Sequence, residues 1–180
     1  MKTKSPTDHI NFGEKLLRTF YMRDVLCVAP ELIGKTIVVK GSSPELYRFR
    51  ISEVEAYRGE EDRACHAFKG RTARTEVMYH EGGKLYVYFV YGMYWMLNIV
   101  TGPENDPQAV LIRGVTGISG PGRLTRHLQI DGSYYGEDLT SSERIWIEDS
   151  GLNPSFKTGP RIGINYAGEP WISKPWRYYI

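Results

Sequence analysis

The stretch that most constrains this chain is Leu85–Val100, LYVYFVYGMYWMLNIV. Two runs of β-branched and aromatic residues flank a Gly-Met pair, a composition that favours strands. A two-residue Gly-X loop between such runs is a hairpin signal, so the chain is expected to build an antiparallel sheet around this segment. The tip carries Tyr91 and Tyr94 on either side of the turn. An aromatic ring at an exposed tip costs solubility unless it inserts into something. The alternative is a hairpin packed on its own core.

The rest of the sequence extends this picture. Leu16, Leu17, Phe20 and Tyr21 fall at helical spacing, and Asp24 is placed to cap a second short helix over VLCVA, ended by Pro30 and Gly34. KTIVVK reads as a strand and GSSPE as the turn after it. In RFRISEVEAY, alternation puts Phe49, Ile51, Glu53, Glu55 and Tyr57 on one strand face. Arg58–Thr75 reads as a polar, glycine-containing loop, QAVLIRGV as a strand, and GPGRLTRHLQ as a helix entered through glycine and proline. RIWIED, RIGINYA and WRYYI are candidate strands in a loop-rich C-terminal third. Several hairpin-type strands with few helices predict an α+β fold, a single mixed domain around an antiparallel sheet.

Size agrees, since 180 residues suit one domain, here 13–180 behind a flexible lead over 1–12. No apolar run approaches the length of a membrane span, and MKTKSPTDHI lacks the apolar core of an export signal. Cys27 and Cys65 make neither a disulfide framework nor a metal cluster. A reducing location is expected, cytoplasmic (nucleoid-associated) or nuclear. Net charge is only +2, but it is unevenly spread: Ala64–Thr75 and Pro107–Ile130 each carry three basic residues and no acid, whereas Asp131–Asp149 carries six acids against one Arg. One basic face on a nearly neutral protein suits a nucleic-acid binder, and solvated loops explain the same pattern.

Glu55 is the first chemical candidate. Two residues before Tyr57, its carboxylate and the aromatic ring point the same way, an arrangement that can hold a general base for water; a solvated strand-end glutamate is the plain alternative. His66 follows eleven residues later. Next to Cys65 it suggests zinc, but no C-x-x-C or H-E-x-x-H accompanies it, and no H-x-E with P-C-x-x-C marks a zinc deaminase. A lone loop histidine is also commonly structural or solvated. GISGPG and HEGG match neither a P-loop nor a dinucleotide fingerprint, and no G-x-S-x-G elbow is present. Enzymes acting on bases push aromatic wedges into duplexes and extrude the target nucleotide, a task that fits a tyrosine tip beside basic loops.

Taken together, VEAYRGEEDRACH, GKLYVYFVYGMYWMLNI, VLIRG, GPGRL, PRIGI and AGEPW resemble the alkyladenine (3-methyladenine) DNA glycosylases, over about nine-tenths of the chain. The resemblance implies a curved antiparallel sheet with flanking helices and a protruding DNA-inserting hairpin. It implies a monofunctional enzyme with no cofactor and no metal, excising alkylated or deaminated purines (the 3-methyladenine, 7-methylguanine, hypoxanthine and ethenoadenine class) and leaving an abasic site. The implied partner is double-stranded DNA containing damaged purines, with no membrane partner and a monomeric enzyme. Position by position, Glu55 matches the general base, Tyr57 the ring stacked on one face of the flipped base, and His66 and Tyr88 the groups closing the other side. Tyr91 matches the intercalating residue, Asn98 the residue screening the purine edge, and Arg113 an arginine near the water and the DNA backbone. Cys65 and Trp95 are expected to shape the pocket. A strict two-residue turn would pair Tyr88 with Leu97 and put Tyr88 and Asn98 on opposite faces, so a bulge or wider turn is expected. Two rivals stand beside this reading: a non-catalytic binder stacking single-stranded bases, and a module whose hairpin docks a protein.

Overall fold

The computed structural model describes residues 13–41 and 45–180. The lead over 1–12, and positions 42–44 of the turn expected in GSSPE, lie outside the described residues. The chain runs through β1 (Glu14–Lys15), α1 (Arg18–Tyr21), α2 (Val25–Leu32), β2 (Thr36–Lys40), β3 (Leu46–Arg58), β4 (Leu85–Val90), β5 (Tyr94–Thr101) and β6 (Gln108–Val115). It then continues through β7 (Ile118–Ser119), α3 (Pro121–His127), β8 (Ile145–Asp149), β9 (Lys157–Gly159) and β10 (Arg177–Tyr179). The strands pair antiparallel in the order β1-β8-β2-β3-β6-β5-β4, with β10 on β3, β9 on β10 and β7 on β6. Short helices against an open antiparallel sheet give the α+β architecture that the strand-rich pattern predicts.

Local chemistry explains the elements. Asp24 caps α2, its carboxylate accepting from Leu26 N at 2.8 Å. Val25, Val28, Ala29 and Leu32 then fall on one buried face at helical spacing. The helix runs through Pro30 to Leu32 rather than stopping at the proline, and forgoes the one backbone bond that Pro30 cannot donate. The helix expected over Leu16–Tyr21 shortens to the single turn of α1.

β3 is the spine of the molecule. Its first half pairs with β2, and its second half lies between β6 and β10. The alternation expected along it does not persist. Ile51 pairs with Val115, Glu53 with Gly114 and Val54 with Ile112, so an extra residue enters first one strand and then the other. Register is unchanged on either side of this double irregularity, but the facing inverts. Phe49 and Ile51 therefore join Val54 and Ala56 on the core side, and of the five residues expected on one face only Glu53, Glu55 and Tyr57 turn to the other. The core side is completed by Leu85, Val87, Leu97, Ile99, Val110 and Ile112, with each large aliphatic side chain contributing about 1.5–3 kcal/mol by burial.

RIGINYA is not a strand. Gly163 and Gly168 take positive φ (+79° and +68°), and a 3-10 turn occupies Asn165–Ala167, so the backbone cannot keep an extended ladder there. Arg58–Thr75 is more than a polar loop, since 3-10 turns at Gly59–Glu61 and His66–Lys69 bury Asp62, Ala64, Cys65 and Ala67.

Candidate active site

The non-core face of β3–β6 is concave to one cavity of about 350 Å³. The strands supply Tyr57, Tyr86, Tyr88, Asn98 and Arg113, and the loops over 64–66 and 162–166 close the sides. Hairpin geometry decides the membership. The turn holds three residues, so Val90 pairs with Tyr94, Tyr88 with Met96 and Tyr86 with Asn98. Tyr88 and Asn98 consequently share a face, as the pocket requires. Trp95 falls on the other face with Leu97 and packs on Phe89, ring centroids 4.8 Å apart; contrary to expectation it does not line the cavity. Cys65 does line it, as a buried thiol pushed up to about 12 by burial, which makes it an inert wall.

Glu55 is fully buried. Its Oε1 accepts from Ile162 N at 2.7 Å and lies 3.5 Å from Arg113 Nε, and its Oε2 accepts from the Tyr57 hydroxyl at 2.8 Å. Burial pushes its pKa up, opposed by Arg113, the Ile162 amide and the Tyr57 hydroxyl. Three residues that touch the carboxylate, namely Tyr57, Arg113 and Ile162, are themselves cavity-lining. Arg113 also donates to Glu53 at 3.0 Å, and Arg177 reaches the same oxygen at 3.1 Å.

Behind Tyr57 lies a feature that spacing did not reveal. The Arg161 guanidinium carbon sits 4.7 Å from the Tyr57 ring centroid and 5.0 Å from that of Trp176. Arg161 pairs with Asp62, both side chains fully buried, and donates to Ala56 O at 2.9 Å. Asp62 in turn accepts from the backbone of Arg58 and Ala64. One buried ion pair thus ties the strand carrying Glu55 and Tyr57 to the loop leading to His66. The only sequence sign of it is the PRIGI segment.

His66 Nδ1 shares a 2.8 Å hydrogen bond with the Tyr86 hydroxyl, and its ring stands edge-on to Tyr88 at 4.5 Å. Burial and the nearby Arg74 lower its pKa to about 4, leaving the imidazole neutral. Asn98, also buried, donates from Nδ2 to Tyr86 O at 3.0 Å, while its Oδ1 has no hydrogen-bond partner among the described residues. Tyr86, not singled out by sequence, therefore fixes both His66 and Asn98.

At the tip, Tyr91 is 88% exposed with φ +54°, followed by Gly92 at +65°. Met93 N bonds back to Val90 O at 3.1 Å. Positive φ at both central positions is the type I′ pattern, natural for glycine and strained for tyrosine. Around the mouth, Arg74 lies 5.0 Å over Tyr88 and Arg126 5.4 Å over Tyr94. Neither has a carboxylate partner among the described residues, whereas Arg71 is paired with Glu76 at 2.6 Å. The described residues contain no group of three potential metal ligands and no helix long and apolar enough to cross a membrane.

These features meet the comparisons with known proteins. The sequence model of the "Methylpurine-DNA glycosylase (MPG)" family matches residues 19–119 and 115–180. A protein of Psychrobacter cryohalolentis named "Putative 3-methyladenine DNA glycosylase" is 41% identical, covering 88% of this chain and 87% of its own. Similar proteins under the same name occur in Borreliella afzelii, 44% identical over 91% of this chain and 94% of its own, and in Methanocella arvoryzae, 41% identical over 91% of each. The chain belongs to the methylpurine-DNA glycosylase family of DNA-repair hydrolases.

Proposed function

We propose that this enzyme extrudes alkylated or deaminated purines from duplex DNA and hydrolyses their N-glycosidic bond, leaving an abasic site. The observation that carries the reading is Glu55: a fully buried carboxylate, bonded to Tyr57 and beside Arg113, directly behind the wall that Tyr57, Arg113 and Ile162 give an aromatic cavity whose rim carries a nearly bare tyrosine.

Tyr91 fills the gap left in the duplex, and the extruded base enters between Tyr57 on one side and His66 with Tyr88 on the other. Neutral His66 is a hydrogen-bonding wall, and Asn98 disfavours a guanine amino group at the purine edge. As the C1′–N bond stretches, positive charge builds on the deoxyribose, and the Glu55 carboxylate stabilises it. The water that Glu55 activates is held in the cavity beside Tyr57, Arg113 and Ile162, the lining residues that touch the carboxylate. That water attacks C1′ and gives its proton to Glu55, while the bonding electron pair leaves with the base. Cationic alkylpurines leave without added acid and gain from the aromatic walls. Arg113 opposes the burial that pushes the Glu55 pKa up. No lysine nucleophile is involved, so no strand cleavage accompanies excision, and one pocket per flipped base suits a monomer.

The test is single-turnover scission after alkali on duplexes holding one hypoxanthine or one ethenoadenine opposite thymine, with wild type and Glu55→Gln compared and duplex affinity recorded for both. Abasic product from wild type, lost in the variant while affinity persists, supports the proposal. Product undiminished in Glu55→Gln refutes the role of Glu55. Neither binding nor product on these duplexes or on methylated genomic DNA refutes the whole reading.

A further inference from the structure

We propose that Tyr166 is a substrate-binding residue whose ring closes the cavity mouth opposite the hairpin and holds the extruded nucleotide by stacking; this rests on the base-extrusion reading above. Tyr166 lines the cavity yet is 70% exposed, and with exposed Ile162 and Tyr91 it makes three large side chains around one cavity, a grouping that marks a binding surface.

It is also held firmly. Its hydroxyl donates to Ala64 O at 3.0 Å. Its 3-10 turn is anchored by Ile164 and Ala167, which pack with Ala64 against Tyr57 and Trp171. Ala64 is fixed in turn by its N–H bond to Asp62, the partner of buried Arg161. With the hydroxyl already engaged, the ring is what Tyr166 offers a ligand, and a ring offers stacking to a planar base or a sugar face. Tyr88, Tyr91 and Tyr166 all line the one cavity, the first two from the hairpin and the third from the loop over 162–166. Tyr91, on the hairpin, is placed to fill the hole in the duplex; Tyr166, on the loop over 162–166, is placed against what left it. Because the ring is already immobilised, little conformational entropy is lost on contact.

The experiment uses Glu55→Gln as the parent, so that substrate is bound and not cleaved, with a duplex carrying one ethenoadenine, whose fluorescence reports departure from the base stack, and an undamaged duplex of the same sequence. Tyr166→Ala in that parent is expected to lower lesion affinity and the extruded fraction about 5- to 100-fold, the range of one base–aromatic stack, with undamaged-duplex affinity unchanged. Tyr166→Phe keeps the ring but gives up its bond to Ala64 O, and is expected to lose clearly less than Tyr166→Ala; Tyr166→Leu replaces the alanine variant if that one does not fold. Unchanged extrusion in Tyr166→Ala overturns the proposal, as does an equal loss on undamaged DNA, which would make Tyr166 a general DNA contact. A Tyr166→Phe variant as impaired as Tyr166→Ala overturns the stacking account. A parent that extrudes no lesion refutes the function proposed above, an outcome separable from a parent that extrudes normally and a Tyr166 variant that does too.

Discussion

Replacing Tyr57 with phenylalanine keeps the stacking ring and deletes one hydroxyl, which donates to Glu55 Oε2 at 2.8 Å. Burial already pushes the Glu55 carboxyl above its ordinary range, and Arg113, the Ile162 amide and this hydroxyl act against that push. A hydrogen bond to a charged group is worth about 1.5–3 kcal/mol, and about 1.4 kcal/mol is a factor of ten in the ionised fraction. The sign follows from which form the donor favours: the hydroxyl stabilises the anion, so its loss raises the Glu55 pKa further. The hydrolysis proposed above needs the anion. On the acidic side of the profile, where Glu55 is mostly protonated in both enzymes, Tyr57→Phe is therefore expected to be slower by about tenfold or more, with the rates converging at alkaline pH. The assay is single-turnover excision across about pH 5 to 9 on 7-methylguanine, read as the ratio of the variant's rate to that of wild type at each pH, in which any titration of the base itself cancels. An unmoved acidic limb, or one moved to lower pH, would refute the argument. A uniform loss at every pH would place the hydroxyl on the substrate instead of on Glu55.

Other consequences follow from neighbouring features. Tyr91→Gly removes a bulky residue from φ +54°; relief of about 1 kcal/mol of backbone strain is partly offset by the entropy of an added glycine, so the melting temperature is expected to hold or rise while lesion excision falls. His66, held down to about 4 by burial and Arg74, is expected to stay neutral through the physiological range in an NMR titration; protonation near the ordinary histidine value would contradict its packing. Arg161→Met leaves Asp62 charged and unpaired in a fully buried site, which is expected to cost about 3–5 kcal/mol in denaturant unfolding; a loss below about 1 kcal/mol would mean that the pair is not buried in solution.

Much of this protein can be read from residues close together in the chain. The Asp24 cap, the strand over KTIVVK, the two arms of the hairpin and the two-residue spacing of Glu55 and Tyr57 are matters of local pattern, and the structure places each where that pattern puts it. The need for a turn wider than Gly-Met was legible too, because Tyr88 and Asn98 could not otherwise share a face. What local pattern could not supply is anything that depends on a distant partner. The facing inversion at Glu53 arises only where β3 meets β6, so alternation alone put Phe49 and Ile51 on the wrong side. Trp95 turns to the core because the same hairpin register that brings Asn98 to the cavity takes its odd-numbered neighbours away from it. RIGINYA fails as a strand because burying Arg161 on Asp62, 99 positions earlier in the chain, draws the segment inward and its glycines let it turn. The sequence by itself determined the strands on which the candidate residues Glu55, Tyr57, Tyr88, Asn98 and Arg113 ride. Only the tertiary structure decided that Glu55 is buried, that Tyr57 is both its donor and the ring over Arg161, and that Tyr86 and Tyr166 line the cavity. Periodicity records neighbours one or two bonds of a ladder away, whereas burial and charge pairing are set by whichever chain segment arrives to cover them.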